Sequence, residues 1–99
     1  MKPLSFHEDA EAELIEAARY YEAKSAGLGA ALVVEVAEAA EELRKNPEAW
    51  QLVATEVRRR VLRRFPYSLL FVVEPDRIRV IAVSHNRRRP GYWGRRKRA

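Results

Sequence analysis

The chain has 99 residues, 47% of them hydrophobic, a formal net charge of +5 and no cysteine. That length fits one domain with one modest core and leaves no room for a second domain or a large cofactor site. The lack of cysteine excludes disulfides and thiolate metal sites and fits a reducing cytoplasm, and no apolar run nears the roughly 20 residues that span a bilayer.

The opening run, Met1 to Phe6, turns acidic at Glu8 and Asp9 and is not a signal peptide. Leu4–Phe6 is expected to form a brief strand. Glu8 and Asp9 then start a helix, where carboxylates meet the positive end of the helix dipole. Ala10, Leu14, Ala17, Ala18 and Tyr21 recur at three- and four-residue spacing, which carries the helix to about Lys24. Ser25-Ala26-Gly27 breaks it. A second helix begins near Leu28 with the stripe Leu28, Leu32, Val36, Ala39 and Leu43, and stops at Asn46-Pro47 because proline disfavours helix in the residue before it. The short connection makes the pair an antiparallel hairpin. Trp50 is expected to pack and close the following loop.

From Glu56 the pattern changes. Val57 to Arg64 is expected to be an Arg-rich strand, interrupted at Pro66. Tyr67–Val73 is apolar on both faces and suits a central strand. Glu74-Pro75-Asp76-Arg77 signals a turn, and Ile78–Val83 is the next strand. The expected fold class is α+β: a short N-terminal strand, an antiparallel helical hairpin on one sheet face, and a three-stranded antiparallel meander, in the order β-α-α-β-β-β. Residues 1–94 are expected to form the single domain and 95–99 a frayed basic tail.

Charge divides along the same line. Residues 1–55 carry 5 Lys+Arg against 11 Asp+Glu, a net of −6, whereas residues 56–99 carry 14 against 3, a net of +11. The arginines of the second half cluster with aromatics, a combination that suits a polyanion or an acidic partner.

Three stretches then carry a resemblance. They are Ala17-Ala18-Arg19-Tyr20-Tyr21-Glu22 with Gly27-Leu28-Gly29, Val57-Arg58-Arg59-Arg60 running into Arg64-Phe65-Pro66-Tyr67, and Ala82 through Trp93. In this order and spacing the chain resembles the RelE/ParE superfamily of toxins from type II toxin–antitoxin systems. The form His85-x-Arg87 with Pro90-Gly91-Tyr92-Trp93 looks closer to its ParE-like members. The resemblance implies a growth inhibitor neutralised by a co-encoded antitoxin. RelE-like members cleave messenger RNA on the ribosome and ParE-like members bind DNA gyrase, and a shared fold warrants neither activity by itself.

Each activity asks for different residues. Metal-free RNA cleavage needs a base at the 2′-hydroxyl, cations at the phosphate and an acid at the leaving group. By resemblance the candidate catalytic groups are Arg60, Arg87 and Tyr92. RNA-cleaving relatives often carry arginine directly after the aromatic residue that opens the central strand; here Ser68 follows Tyr67, which weakens that reading. Gyrase binding needs interface anchors, and Trp, Tyr and Arg are the usual ones. The candidate target-binding residues are Arg58, Arg64, Tyr67, His85, Arg88, Arg89 and Trp93. Tyr92 and Trp93 have the alternative of folding back over the sheet edge or the hairpin. His85 has the alternatives of carrying a proton or closing its strand through hydrogen bonds, and Tyr20 and Tyr21 are expected to pack in the hairpin.

Leu14, Ala18, Leu32 and Val36 line the hairpin groove and are the candidate antitoxin contacts, with packing on the sheet as the alternative. The expected partners are the cognate antitoxin and DNA gyrase, with ribosome and mRNA as the alternative target. A third possibility is an inactive module that only binds antitoxin. No cofactor, metal or membrane is expected, since His7 and His85 alone do not make a metal site, and the expected location is the cytoplasm.

Overall fold

A computed structural model describes residues 1–98 of the chain. Strand β1, Leu4–Phe6, leads into helix α1, Glu8–Lys24. His7 caps α1 by accepting from Asp9 N–H at 3.0 Å, and Glu8, Asp9 and Glu11 fill the first turn. Helix α2, Leu28–Lys45, starts without a side-chain cap of its own. Its free N–H groups are met from α1: the Glu22 carboxylate accepts from Gly27 N–H at 2.8 Å and Gly29 N–H at 2.9 Å. Gly27 takes φ +86°, a left-handed turn that glycine adopts without strain.

The meander has four strands, one more than the sequence suggests. After a 3-10 turn at Pro47–Ala49 the chain forms β2 (Gln51–Ala54), β3 (Val57–Val61), β4 (Tyr67–Val73) and β5 (Ile78–His85). All four residues of β2 are exposed, so it lacks the buried-face alternation that marks a strand in sequence. β3 stops at Val61, short of the expected Arg64, because the buried carboxylate of Glu35 turns the chain. It accepts from the backbone N–H of Arg63 and of Arg64.

The sheet order is β1-β5-β4-β3-β2, with β1 parallel to β5 and every other pair antiparallel. The hairpin covers one face. Ala10, Ala17, Leu32, Val36, Ala39 and Leu43 pack there on Leu69, Phe71, Ile78, Val80 and Val83. The second face has its own smaller core of Val57, Leu70, Val72, Ile81, Ala82 and Trp93. The β4–β5 register passes from Leu70↔Ala82 to Phe71↔Val80, which leaves Ile81 as a bulge. The extra residue puts Ile81 and Ala82 on the same, second face and returns Val83 to the helical one.

Because β1 is only three residues long, it covers β5 as far as Val80. Beyond it the open edge of β5 is satisfied by side chains. Glu13 accepts from Val83 N–H at 3.0 Å, and Arg96 donates to the Ile81 carbonyl at 3.0 Å. These contacts involve the segment expected to be a frayed tail from residue 95, of which Ala99 lies outside the described residues. Gly94–Arg98 is a 3-10 helix, and the buried Arg79 donates to the carbonyls of Arg96, at 3.1 Å, and Lys97. Among the described residues no helix is long and apolar enough to cross a membrane.

Candidate functional site

Alternation along β3 sorts its arginines between the two faces. Arg58 and Arg60 face the hairpin side and are spent on internal contacts. Arg58 donates to the Trp50 carbonyl at 2.7 Å. Arg60, 7% exposed, pairs with Glu42 at 2.6 Å and lies 4.8 Å over the Trp50 ring. That contact holds the Glu42 carboxyl below its ordinary range, chiefly through the Arg60 hydrogen bond. Arg64 is exposed beside α2, with its guanidinium over Phe65.

Arg59 points to the opposite face. Its Nε donates to Ser68 Oγ at 3.1 Å, its Nη2 donates to Asn86 Oδ1 at 3.4 Å, and Ser68 donates to Asn86 Oδ1 at 2.6 Å. These three groups floor a cleft of about 200 Å³ that Ser84, Arg88 and Pro90 help to enclose. Ser68, the departure from the RNA-cleaving pattern, is 1% exposed and orients Arg59. Neither Arg59 nor Asn86 stands out in the sequence. The alternation of Val57–Val61 separates Arg59 from its neighbours, but no local signal says which side carries the cleft.

The segment after β5 forms a strap around the cleft. Asn86 N–H donates to the Pro66 carbonyl at 2.8 Å, Arg88 N–H to the His85 carbonyl at 3.0 Å, and Arg87 N–H to His85 Nδ1 at 3.1 Å. His85 is therefore a turn-stabilising acceptor, and its ring meets Tyr67 edge-on at 5.1 Å. Gly91, at φ +90°, lets the strap reverse. Arg87, Arg88 and Arg89 are exposed. The side chains of Arg87 and Arg89 make no hydrogen bond or ion pair among the described residues. Arg88 stacks on the Tyr92 ring at 3.7 Å and lies 3.7 Å from Glu13.

Trp93 is 6% exposed and seals the second-face core. Of its two expected placements, surface anchor or folding back over the sheet, the structure shows the second, with the indole packed among Val57, Leu70, Val72, Ile81 and Ala82. Tyr92 donates its hydroxyl to Glu13 at 2.8 Å. Burial first, and then Glu13, push the phenol above its ordinary range against an opposing contact from Ser84, so it is a weaker proton donor than a free tyrosine.

The expected catalytic group Arg60, Arg87 and Tyr92 is thus divided. Arg60 is buried under α2, Arg87 is exposed on the strap and Tyr92 is tied to α1. No hydrogen bond, ion pair or ring contact joins them among the described residues. Of the expected antitoxin contacts, Leu32 and Val36 are 0% and 2% exposed and face the sheet, which corrects their placement in a groove. Leu14 and Ala18 do line an open apolar groove on the outer side of the hairpin, with Ile15, Gly29 and Val33.

The fold is of the α+β class, a small sheet with a helical hairpin on one face and an arginine-rich strap against the other. The comparisons give the class a family. The model of the ParE toxin of the type II toxin–antitoxin system parDE matches residues 4–90. A solved structure described as the chromosomal ParDE system from P. aeruginosa superposes with a TM-score of 0.74 at 21% identity, covering 86% of this chain and 96% of that one. No curated protein matches the chain. The chain belongs to the ParE toxin family of type II toxin–antitoxin systems.

Proposed function

We propose that this toxin arrests growth in the cytoplasm by binding DNA gyrase through the strap and the Arg59 cleft, and that a cognate antitoxin neutralises it. The observation that carries the reading is the contrast between two sets of groups. Arg87, Arg88 and Arg89 are exposed on the strap beside the Arg59 cleft, whereas the residues expected for RNA cleavage are separated or internally bound. Binding a protein surface asks only for exposed, oriented anchors, and arginine is among the best of them. Cleavage asks for a base and an acid within hydrogen-bond reach of the same phosphodiester.

The test is to add the purified chain to DNA gyrase and follow supercoiling, with ribosome-bound message in a parallel reaction. Supercoiling is expected to fall while the message stays intact. Cut message with unchanged supercoiling would overturn the reading in favour of a nuclease; no effect in either reaction would leave a module that only binds antitoxin.

For the antitoxin, we propose that an apolar segment docks on the outer hairpin groove at Leu14 and Ala18. Ile15 and Val33, 45% and 44% exposed, are its accessible walls, and they leave an apolar patch that a monomer would otherwise present to water. Ile15→Asp with Val33→Asp is expected to arrest growth as before but to escape co-expressed antitoxin. Full rescue of the double variant would remove the groove from the interface.

A further inference from the structure

A second and larger cleft, of about 450 Å³, lies on the hairpin side between the middle of α1 and the ends of β4 and β5. His85 and Arg88 border both clefts, but the rest of this one is lined mainly by tyrosines and carboxylates. Tyr20, Tyr21, Tyr67 and His85 form a continuous edge-to-face row, with centroids 5.3, 6.3 and 5.1 Å apart. Glu13 and Glu16 stand beside this row. Glu13 is already committed to Val83, Tyr92 and Arg96, and it offsets the charge of Arg88, which also lines the cleft and lies 3.7 Å from it. Glu16 is exposed and has no ion-pair partner among the described residues. The hydroxyls of Tyr20, Tyr21 and Tyr67 also make no hydrogen bond among the described residues. Tyr20 is 55% exposed, so its ring is open to a ligand at the mouth of the cleft.

These groups select a ligand by charge. A ring face carries negative potential and attracts ammonium and guanidinium groups, guanidinium most readily because it is planar and weakly hydrated. A carboxylate at the same opening adds a directed hydrogen-bond acceptor. Burial first, then Tyr21 and the carboxylates of Glu16 and Glu13, raise the Tyr67 phenol, which fits a cleft whose field favours positive charge. The protein's own cations already use rings here in this way: Lys24 lies 5.1 Å from the centroid of Tyr20 in the row itself, and Arg88, at the edge of the cleft, 3.7 Å from that of Tyr92. An apolar ligand would strip water from a carboxylate and three phenols and return no hydrogen bond.

We propose that this cleft is a receptor for an arginine side chain presented by a partner protein, with the guanidinium stacked in the tyrosine row and bonded to Glu16. The site lies on the helical side of the sheet and extends the interaction surface beyond the strap and the hairpin groove. It does not depend on which target the toxin arrests.

The test is an NMR titration of the full chain with N-acetyl-arginine-N-methylamide, and in parallel with the citrulline compound of the same shape and no charge. The arginine compound is expected to give saturable shifts at Tyr20, Tyr67 and Glu16 with a Kd on the order of millimolar. Glu16→Gln and Tyr20→Ala, both at exposed positions, are expected each to weaken it about fivefold, a change of about 1 kcal/mol, with the remaining spectrum unchanged. Equal binding of citrulline, or no saturation up to about 50 mM, would overturn the proposal. So would shifts centred on Arg87 and Arg89, which lie outside the cleft lining. Since gyrase takes no part in the titration, failure here leaves the proposed target standing, and the reverse also holds.

Discussion

At the scale of single residues, the protein depends on side chains that bridge distant parts of the chain. Glu13 touches groups 70, 79 and 83 positions away, and Glu35 holds a turn 28 and 29 positions away. Both look in sequence like ordinary helix carboxylates, and nothing local sets them apart. Gly29 is a second case. A Cβ there would lie 2.3 Å from the Ala18 carbonyl oxygen and 3.0 Å from Glu22 Cβ, so it marks the closest approach of α1 and α2. Backbone cannot swing away as a side chain can. Gly29→Ala is expected to lose about 1–3 kcal/mol by overpacking, even though alanine is the better helix former by about 1 kcal/mol. Urea unfolding measures the difference, and a gain in stability would show that the helices separate at little cost.

At the scale of elements, the two helices share one cap. The Gly27 and Gly29 N–H groups hold the Glu22 carboxyl below its ordinary value of 4.5. Glu42 and Glu74 are lowered in the same direction, chiefly by hydrogen bonds from Arg60 and Arg77 respectively. A carboxyl that is more acidic when folded contributes stability that is complete above its unfolded pKa and is lost as pH falls through the folded one. Thermal stability is therefore expected to hold down to about pH 4.5, the ordinary carboxyl value, and to fall below it. Glu22→Gln should lower Tm at neutral pH and flatten that acid slope; an unchanged slope would mean that the cap is unimportant to the hairpin. Element positions were largely evident from periodicity. The bounds of α1, α2 and β4 follow from apolar spacing and from Ser25-Ala26-Gly27 and Asn46-Pro47. β2 was not evident, because a fully exposed edge strand has no buried face to leave a pattern.

For the whole molecule, the charge division of the sequence becomes a division of surfaces. Three consecutive exposed arginines, Arg87 to Arg89, stand on the strap, and the tyrosine row with Glu13 and Glu16 lies on the hairpin side, with Arg88 bordering both. Two kinds of substitution in the strap should then separate. Trp93→Ala empties the second-face core and is expected to cost about 3–5 kcal/mol, so growth arrest would be lost through unfolding and restored at lower temperature. Arg87→Ala and Arg89→Ala touch nothing internal, so the fold should keep its Tm. If the strap binds the target, they should weaken arrest in steps and make target binding less sensitive to salt. Loss of the whole activity from one of them, with an intact fold, would point instead to a catalytic arginine.

The sequence by itself determined the order of the two helices and of β1, β3, β4 and β5, and the family resemblance. All of these are written in spacings of a few residues. Only the tertiary structure decided that Leu32 and Val36 turn inward and that Trp93 is a core residue. It also decided that Arg60 is held by Glu42 and that Arg59, Ser68 and Asn86 meet in one cleft. The hydrogen bonds among them join positions 9 to 27 residues apart, and the packing of Leu32 and Val36 joins them to strands further along the chain. A one-residue bulge in β5 shifts which face later residues occupy, and local periodicity does not register such a shift.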